Sequence, residues 1–337
     1  MNQQGTVIES TTALEVRGLV TSFRTPRGRL RAVDGLSLRV PVGKTLCIAG
    51  ESGCGKSVTA LSVMGLLPET AHVDAGEILF NGRDLLKLPA AERRLLRGRE
   101  LAMIFQEPMT ALNPVLTVGQ QVAEVYRVHG TAGAEEARQR ALKMLEQVKI
   151  PDAARRYNEY PHQLSGGMKQ RVMIATALAQ GPKLLIADEP TTALDVTIQA
   201  QVLNLLADLQ RELGMAIVFV THDLAVVAEI ADEVLVMYAG KVVERATVND
   251  LFERPAHPYT QGLLAARPQP GRTRHDGVPL NVIPGSLPAL HERGQGCQFR
   301  ARCAKAHARC ETVEPRLQAV QGQGDHQAAC HLLDGAA

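Results

Sequence analysis

Tryptophan is absent from this chain and aromatic residues make up only 3% of it, so an aromatic side chain near a ligand loop draws notice. A dominant charge is missing too. The 37 Lys+Arg against 35 Asp+Glu leave a net charge of +2, which gives no basic field to attract nucleic acid and no acidic excess. No uncharged apolar run approaches the roughly 18 residues that span a bilayer. The opening Met1-Asn2-Gln3-Gln4 lacks the basic and apolar regions of a signal peptide, so the expected compartment is the cytosol. Cysteines number six; cytosolic thiols are usually reduced, and a cluster among them suggests metal before disulfides. There is no internal repeat. At 337 residues, the chain has room for one large domain and a smaller one.

What is present centres on Gly50-Glu51-Ser52-Gly53-Cys54-Gly55-Lys56-Ser57, which fits the phosphate-loop pattern G-x-x-x-x-G-K-[ST] at every specified position. Thr45 to Ala49 before it reads as a buried strand, and Val58 to Gly65 after it as a helix opening. The glycines let the backbone turn tightly, so that successive N–H groups and the helix N-terminus aim at one anion. Lys56 would reach the β- and γ-phosphates, and the Ser57 hydroxyl would ligate Mg²⁺. A plain glycine-rich turn between strand and helix is the alternative, and the rest of the chain decides between them. Phe23, upstream among short strands over residues 13–42, is either core or a stacking surface for an adenine ring.

Further along, Gly76 to Gly82 reads as a strand ending in an Asn-Gly turn, and Arg93 to Arg99 as a solvated helix face. Leu101 to Ile104 is apolar and strand-like, and Gln106 ends it with a polar side chain. From about 107 to 180 the pattern is helical, with Gln120 to His129 and Gly133 to Gln147 at helix spacing. Within this insertion Leu164-Ser165-Gly166-Gly167-Met168-Lys169-Gln170 starts another helix, a second N-terminus with exposed N–H groups. Lys183 to Asp188 is a buried strand ending in two carboxylates, Asp188 and Glu189. Acids at the carboxyl end of such a strand face the ligand crevice of an open α/β sheet. There Asp188 could hold Mg²⁺ and Glu189 could polarise an attacking water. Thr192-Ala193-Leu194-Asp195 leads into a helix. Ala216 to Thr221 is the next buried strand, and His222 at its end is a γ-phosphate sensor candidate. A hairpin over Glu233 to Glu244 turns near Ala239-Gly240.

The ordered set Gly50 to Ser57, Gln106, Leu164 to Gln170, Asp188-Glu189, Thr192 to Asp195 and His222 resembles the nucleotide-binding subunit of an ABC transporter over roughly residues 13–254. The resemblance implies an α/β P-loop NTPase domain (1–254) with an antiparallel β subdomain and a helical subdomain (about 107–180). It also implies head-to-tail dimers, in which Ser165, Gly166 and Gly167 serve the partner's ATP and Asp195 contacts the partner. Within the subunit, Phe23 and Gly50, Glu51, Ser52, Gly53, Cys54, Gly55, Lys56, Ser57 and Val58 would bind ATP. Ser57, Gln106 and Asp188 would hold Mg²⁺, and Glu189, His222 and Gln106 would act in hydrolysis.

A narrower likeness is to the dipeptide/oligopeptide importers, carried by Phe105 to Pro114, Met168, His257-Pro258-Tyr259-Thr260 and the cysteine-bearing tail. Ser57-Val58-Thr59-Ala60 and Met168 are similar to the first, D-type, of the two ATP-binding subunits in such importers. The resemblance implies a second, non-identical ATPase, two transmembrane permeases, an extracytoplasmic peptide-binding protein and a peripheral place at the cytoplasmic face of the inner membrane. Nickel and glutathione importers share much of this pattern. A soluble ABC ATPase acting on DNA or ribosomes is disfavoured by the single cassette and the small net charge.

Beyond Arg254 the composition shifts, with 8 of the 18 prolines between Pro255 and Pro315, and residues 255–337 read as a linker and accessory segment. Cys297, Cys303, Cys310 and Cys330 lie there at spacings C-x5-C, C-x6-C and C-x19-C. Without the C-x2-4-C knuckle of structural zinc sites, and with Arg300, Arg302, Lys305 and Arg309 to offset thiolate charge, they suit an iron–sulfur cluster. The resemblance points the same way, to a [4Fe-4S] centre. Zinc with His291, His307 or His331 as substitute ligands, and plain buried thiols, are the alternatives. Cys47 reads as strand core and Cys54 as a permissive loop position.

Overall fold

The structure, a computed structural model, describes residues 11–106, 111–192, 194–267 and 281–334. Glu107 to Thr110 of the Phe105 to Pro114 stretch, and Ala193 of the Thr192 to Asp195 motif, lie outside these residues. Strands β1 (Thr12–Thr25) and β2 (Gly28–Pro41) alternate buried and exposed positions and pair antiparallel. Polar-out alternation is what a sheet with one solvated face requires. Strand β3 (Thr45–Ala49) is different, buried at all five positions, and feeds through the glycine loop into α1 (Lys56–Met64). Next, β4 (Ala71–Phe80) and β5 (Arg83–Asp84) complete a four-stranded antiparallel sheet of order β2-β1-β4-β5. Asn81 and Gly82 both take positive φ in the expected turn.

The helix α2 (Ala90–Leu96) precedes β6 (Leu101–Ile104). Arg97 beside it is more than a solvated charge: its Nη1 donates to the carbonyls of Met64 and Gly65 at 3.2 and 3.3 Å, closing the C-terminal end of α1. The helical layer follows as α3 (Val118–Val128), α4 (Ala134–Gln147), the single turn α5 (Ala153–Arg156) and α6 (Gly166–Leu178). Gly119 is needed in α3, since a Cβ there would lie 2.2 Å from the Tyr157 ring.

Strand β7 (Leu184–Asp188), α7 (Val196–Leu213), β8 (Ala216–Thr221), α8 (Leu224–Ile230), β9 (Glu233–Tyr238) and β10 (Lys241–Thr247) then build the main sheet. Strands β6, β7, β8, β3 and β9 run parallel, and β10 returns antiparallel. With both faces covered, the central strands are continuous apolar runs. One core lies towards the helical layer around Tyr126, Leu145, Ile174 and Phe219; another lies towards the antiparallel sheet around Leu14, Leu36, Ile48 and Phe80.

The chain after Arg254 is less separate than its composition suggests. After α9 (Val248–Glu253) and α10 (Pro258–Ala265), residues 281–334 are mostly turns and single-turn helices. Even so, β11 (Gln318–Ala319) and β12 (Gln327–Ala328) extend the main sheet, β12 pairing with β10 to give the order β11-β12-β10-β9-β3-β8-β7-β6. Glu244 on β10 is fully buried. It accepts from the Ala256 and His257 amides at 2.6 and 3.0 Å and faces His326 Nε2 at 2.7 Å. Much of the scarce aromatic surface also gathers here, with Tyr238, Tyr259 and Phe299 ring centroids 4.8 to 5.3 Å apart.

Candidate nucleotide-binding site

The carboxyl ends of β3, β7 and β8 lie side by side, so Gly50 to Ser57, Asp188-Glu189 and His222 arrive at one edge of the sheet, as an open α/β sheet demands of its ligand site. The loop glycines do specific work there. Gly55, at φ +114, would place a Cβ 2.8 Å from Ala32 O, and one at Gly50 would lie 2.3 Å from Met237 O. The loop is thus wedged against neighbouring backbone.

Lys56 is 4% exposed, and its Nζ donates to the carbonyls of Gly50 at 2.7 Å and Glu51 at 3.1 Å. It also lies 3.8 Å from Glu189 Oε1. Ser57 Oγ donates to Asp188 Oδ1 at 3.0 Å. Burial pushes the Asp188 carboxyl above its usual range, the Ser57 hydrogen bond opposes this, and the charge of Glu189 adds to it. Two adjacent, buried carboxylates beside a lysine and a serine hydroxyl are a donor set suited to a hard divalent cation.

Glu189 is the most constrained residue of the group. Its backbone sits at φ +46, a region that non-glycine residues rarely occupy, and its amide donates to Val220 O. Oε2 meets Thr192 Oγ1 at 3.0 Å, His222 Nδ1 at 3.1 Å and Gln106 Nε2 at 3.4 Å. A cleft of about 230 Å³ opens over Ser52, Gly53, Gly55, Lys56, Ser57, Val58, Gln106 and Glu189, with Phe23 and Ala32 on its apolar side.

Not every expected residue is gathered there. Ser165 caps α6 by accepting from the Met168 amide, and Ser165 and Gly166 lie exposed and away from the cleft. Asp195 caps α7 through the Ile198 amide at 2.9 Å. Cys54 is no permissive position, because it is fully buried beneath the loop and burial raises its thiol pKa. Thr192 belongs among the residues around Glu189, a role the sequence reading did not give it although it opens the Thr192 to Asp195 motif. Tyr259 was not placed by sequence: its hydroxyl accepts from the Glu51 amide at 3.0 Å, although His257-Pro258-Tyr259 stood out as a motif. Arg302, expected to offset thiolate charge at the cysteines, instead pairs with Glu51 at 2.9 Å.

The four late cysteines come together, lining one small cavity with His307 and His331. Burial raises the Cys297 and Cys330 thiols, and the neighbouring sulfurs raise them further. The donors have cluster chemistry, yet among the described residues no three His, Cys, Asp or Glu side chains converge as ligands of a metal ion. His331 is a poor substitute ligand, since its ring nitrogens already meet Asp334 at 3.1 Å and Val313 O at 2.8 Å.

Beside β6, a groove of about 550 Å³ is lined by Met64, Phe105, Leu112, Leu116, Val125 and Met173. No described helix is long and apolar enough to cross a membrane.

A phosphate loop on a parallel sheet, an acidic pair ending a strand two places along that sheet, a flanking antiparallel sheet and a helical layer define a P-loop nucleotide-hydrolysing cassette. The family described as ABC transporter matches residues 33–192, and the C-terminal region of oligopeptide/dipeptide transporters matches residues 243–310. The chain is 50% identical over 324 residues to the dipeptide transport ATP-binding protein DppD of Escherichia coli, covering 96% of this chain and 98% of that protein. It is 52% identical over 318 residues to a probable peptide ABC transporter ATP-binding protein of Sinorhizobium fredii, covering 94% of each. The dimeric structure of the bacterial cassette MJ0796 in a post-hydrolysis state with ADP and Pi matches with a TM-score of 0.63 and 29% identity, over 70% of this chain and 98% of that one. The chain belongs to the ATP-binding proteins of ABC transporters.

Proposed function

We propose that this chain is the subunit whose ATP hydrolysis powers import of dipeptides or oligopeptides across the cytoplasmic membrane. The observation that carries the proposal is the Glu189 carboxylate, held by Thr192, His222 and Gln106 beside the loop lysine. The curated relatives named for peptide transport support the cargo.

In this reading the loop N–H groups and Lys56 bind the phosphates, and Phe23 stacks on the base. Ser57, Asp188 and Gln106 would hold Mg²⁺, which when bound would supply positive charge beside the phosphates. Glu189 takes the proton of the attacking water, and His222, bonded to the same carboxylate, faces the γ-phosphate. Catalysis is positioning and charge stabilisation of an in-line transfer. Ser165 and Gly166, exposed at the start of α6, and the half-buried Gly167 beside them serve an ATP bound by a second, non-identical ATPase, and Asp195 meets that partner. Closing and reopening of the pair gives two permeases their alternating access, the groove by Phe105 receiving cytoplasmic helices of one of them. An extracytoplasmic protein delivers peptide to them, and this chain sits peripherally on the cytoplasmic face.

Residues 1–254 form the ATPase unit and 255–337 the accessory one. Cys297, Cys303, Cys310 and Cys330, which line one cavity, would hold a [4Fe-4S] cluster, and it would staple the irregular tail. The test is to purify the complex anaerobically and measure its companions, iron content and ATP turnover with and without dipeptides. Two permeases, a second ATPase, about four irons per chain and peptide-stimulated turnover are expected. Turnover stimulated by nickel or glutathione instead would overturn the cargo, and a colourless, zinc-bearing complex would overturn the cluster.

A further inference from the structure

The cleft over the phosphate loop has a wall that no loop motif supplies. Leu290, some 230 residues downstream, lines it opposite the loop with Phe23 and Ala32, and Leu290 and Phe23 are its largest apolar groups. The segment that carries Leu290 lies on the loop itself. A Cβ at Gly53 would sit 3.6 Å from Leu287 Cδ2. Arg293 donates to Arg31 O, Ala32 O and Gly53 O at 3.2, 3.4 and 3.4 Å, so it ties β2 and the phosphate loop together. Its Nε is buried without a partner among the described residues. Arg302, 8% exposed, pairs with Glu51 at 2.9 Å and reaches the Tyr238 hydroxyl at 3.4 Å.

We infer that the segment from Leu287 to Arg302 completes the nucleotide site, with Leu290 covering the nucleoside and Arg293 and Arg302 acting as positioning residues for the phosphate loop. The inference rests on the cleft being the ATP site. The chemistry divides the labour. Backbone N–H groups and Lys56 suit the charged triphosphate, whereas a leucine has nothing to offer an anion and suits the flat apolar face of a base. An arginine that grips loop carbonyls acts on whatever the loop binds.

The experiment measures binding of ATP and of inorganic triphosphate to the full-length chain by calorimetry, with the ligand-free melting temperature as the folding control. Leu290→Ala should weaken ATP about fivefold and leave triphosphate unchanged, as expected for lost apolar contact with the nucleoside. Leu290→Met, which conserves volume, should restore ATP binding. Arg293→Ala and Arg302→Gln should weaken both ligands by a common factor. Unchanged ATP affinity in Leu290→Ala, or an equal loss of both ligands, would overturn the contact. Common-factor losses missing from both arginine variants would overturn their positioning role. Lys56→Ala must lose both ligands; if it kept them, the reading of the cleft as an ATP site would fail, separately from the role of Leu290.

Discussion

At Glu51 two regions built in different ways touch each other. The phosphate loop hangs from β3, which hydrogen-bonds to parallel partners β8 and β9 on both sides. The chain that reaches Glu51 from the far end has two-residue strands and single-turn helices such as Arg300–Arg302 and His331–Leu333. Its place depends on individual side chains: Arg293 and Arg302 on the loop, His326 on Glu244, and the ring cluster of Tyr238, Tyr259 and Phe299. A ladder of backbone bonds survives the loss of one side chain, whereas a tail pinned by a few buried polar groups does not. Chemistry should therefore be the sensitive quantity in the first region, and stability in the second.

The largest effect should separate the two. Glu189→Gln should lower turnover about a thousandfold, roughly 4 kcal/mol in the barrier, with a melting temperature close to the parent's. Phosphate release and calorimetric melting measure both, and near-parental turnover would remove Glu189 from its role. Next, Glu244→Ala strands the Ala256 and His257 amides and a buried histidine, and should cost about 3 kcal/mol in urea unfolding. Limited proteolysis should then cut beyond residue 254 first.

A helix cap in the regular region offers the contrast. Asp195→Ala removes one acceptor from the start of α7 and should cost about 1 kcal/mol by the same measurement. A loss equal to that of Glu244→Ala would erase the distinction.

The smallest effect concerns Asp34, which joins β2 to Lys241 of the main sheet, itself paired to Glu314. Burial alone would raise the Asp34 carboxyl, but the Lys241 ammonium at 2.6 Å and Arg31 hold it below its ordinary value. A depressed carboxyl stabilises the fold above its unfolded pKa, and the benefit is lost as pH falls through the folded one. Asp34→Asn should cost about 0.5 kcal/mol at pH 7 and nothing once the pH lies below the folded value of the parent carboxyl. Unfolding curves across the acid range check this, and a pH-independent deficit would rule it out.

The candidate nucleotide site was readable where a motif is contiguous and ends a strand. Gly50 to Ser57, Asp188-Glu189 and His222 announce themselves because largely apolar runs of four to six residues precede each of them. The Arg93 to Arg99 run misled, because nothing local says that Arg97 reaches the end of α1. Cys54 misled likewise: it is buried where the loop curls its Sγ against Gly50, which spacing cannot express.

By itself the sequence determined the buried strands, the capped helices at Ser165 and Asp195, and the phosphate loop, since each depends on residues within a few positions of one another. Only the tertiary structure decided that Tyr259, Leu290, Arg293 and Arg302 close on that loop and that β12 joins β10. Those contacts span about 80 to 260 residues of chain, and all but that of Tyr259, which sits on a helix, come from irregular backbone or a two-residue strand. Irregular backbone has no period to read, so its partners are chosen by packing and by the need to satisfy buried polar groups.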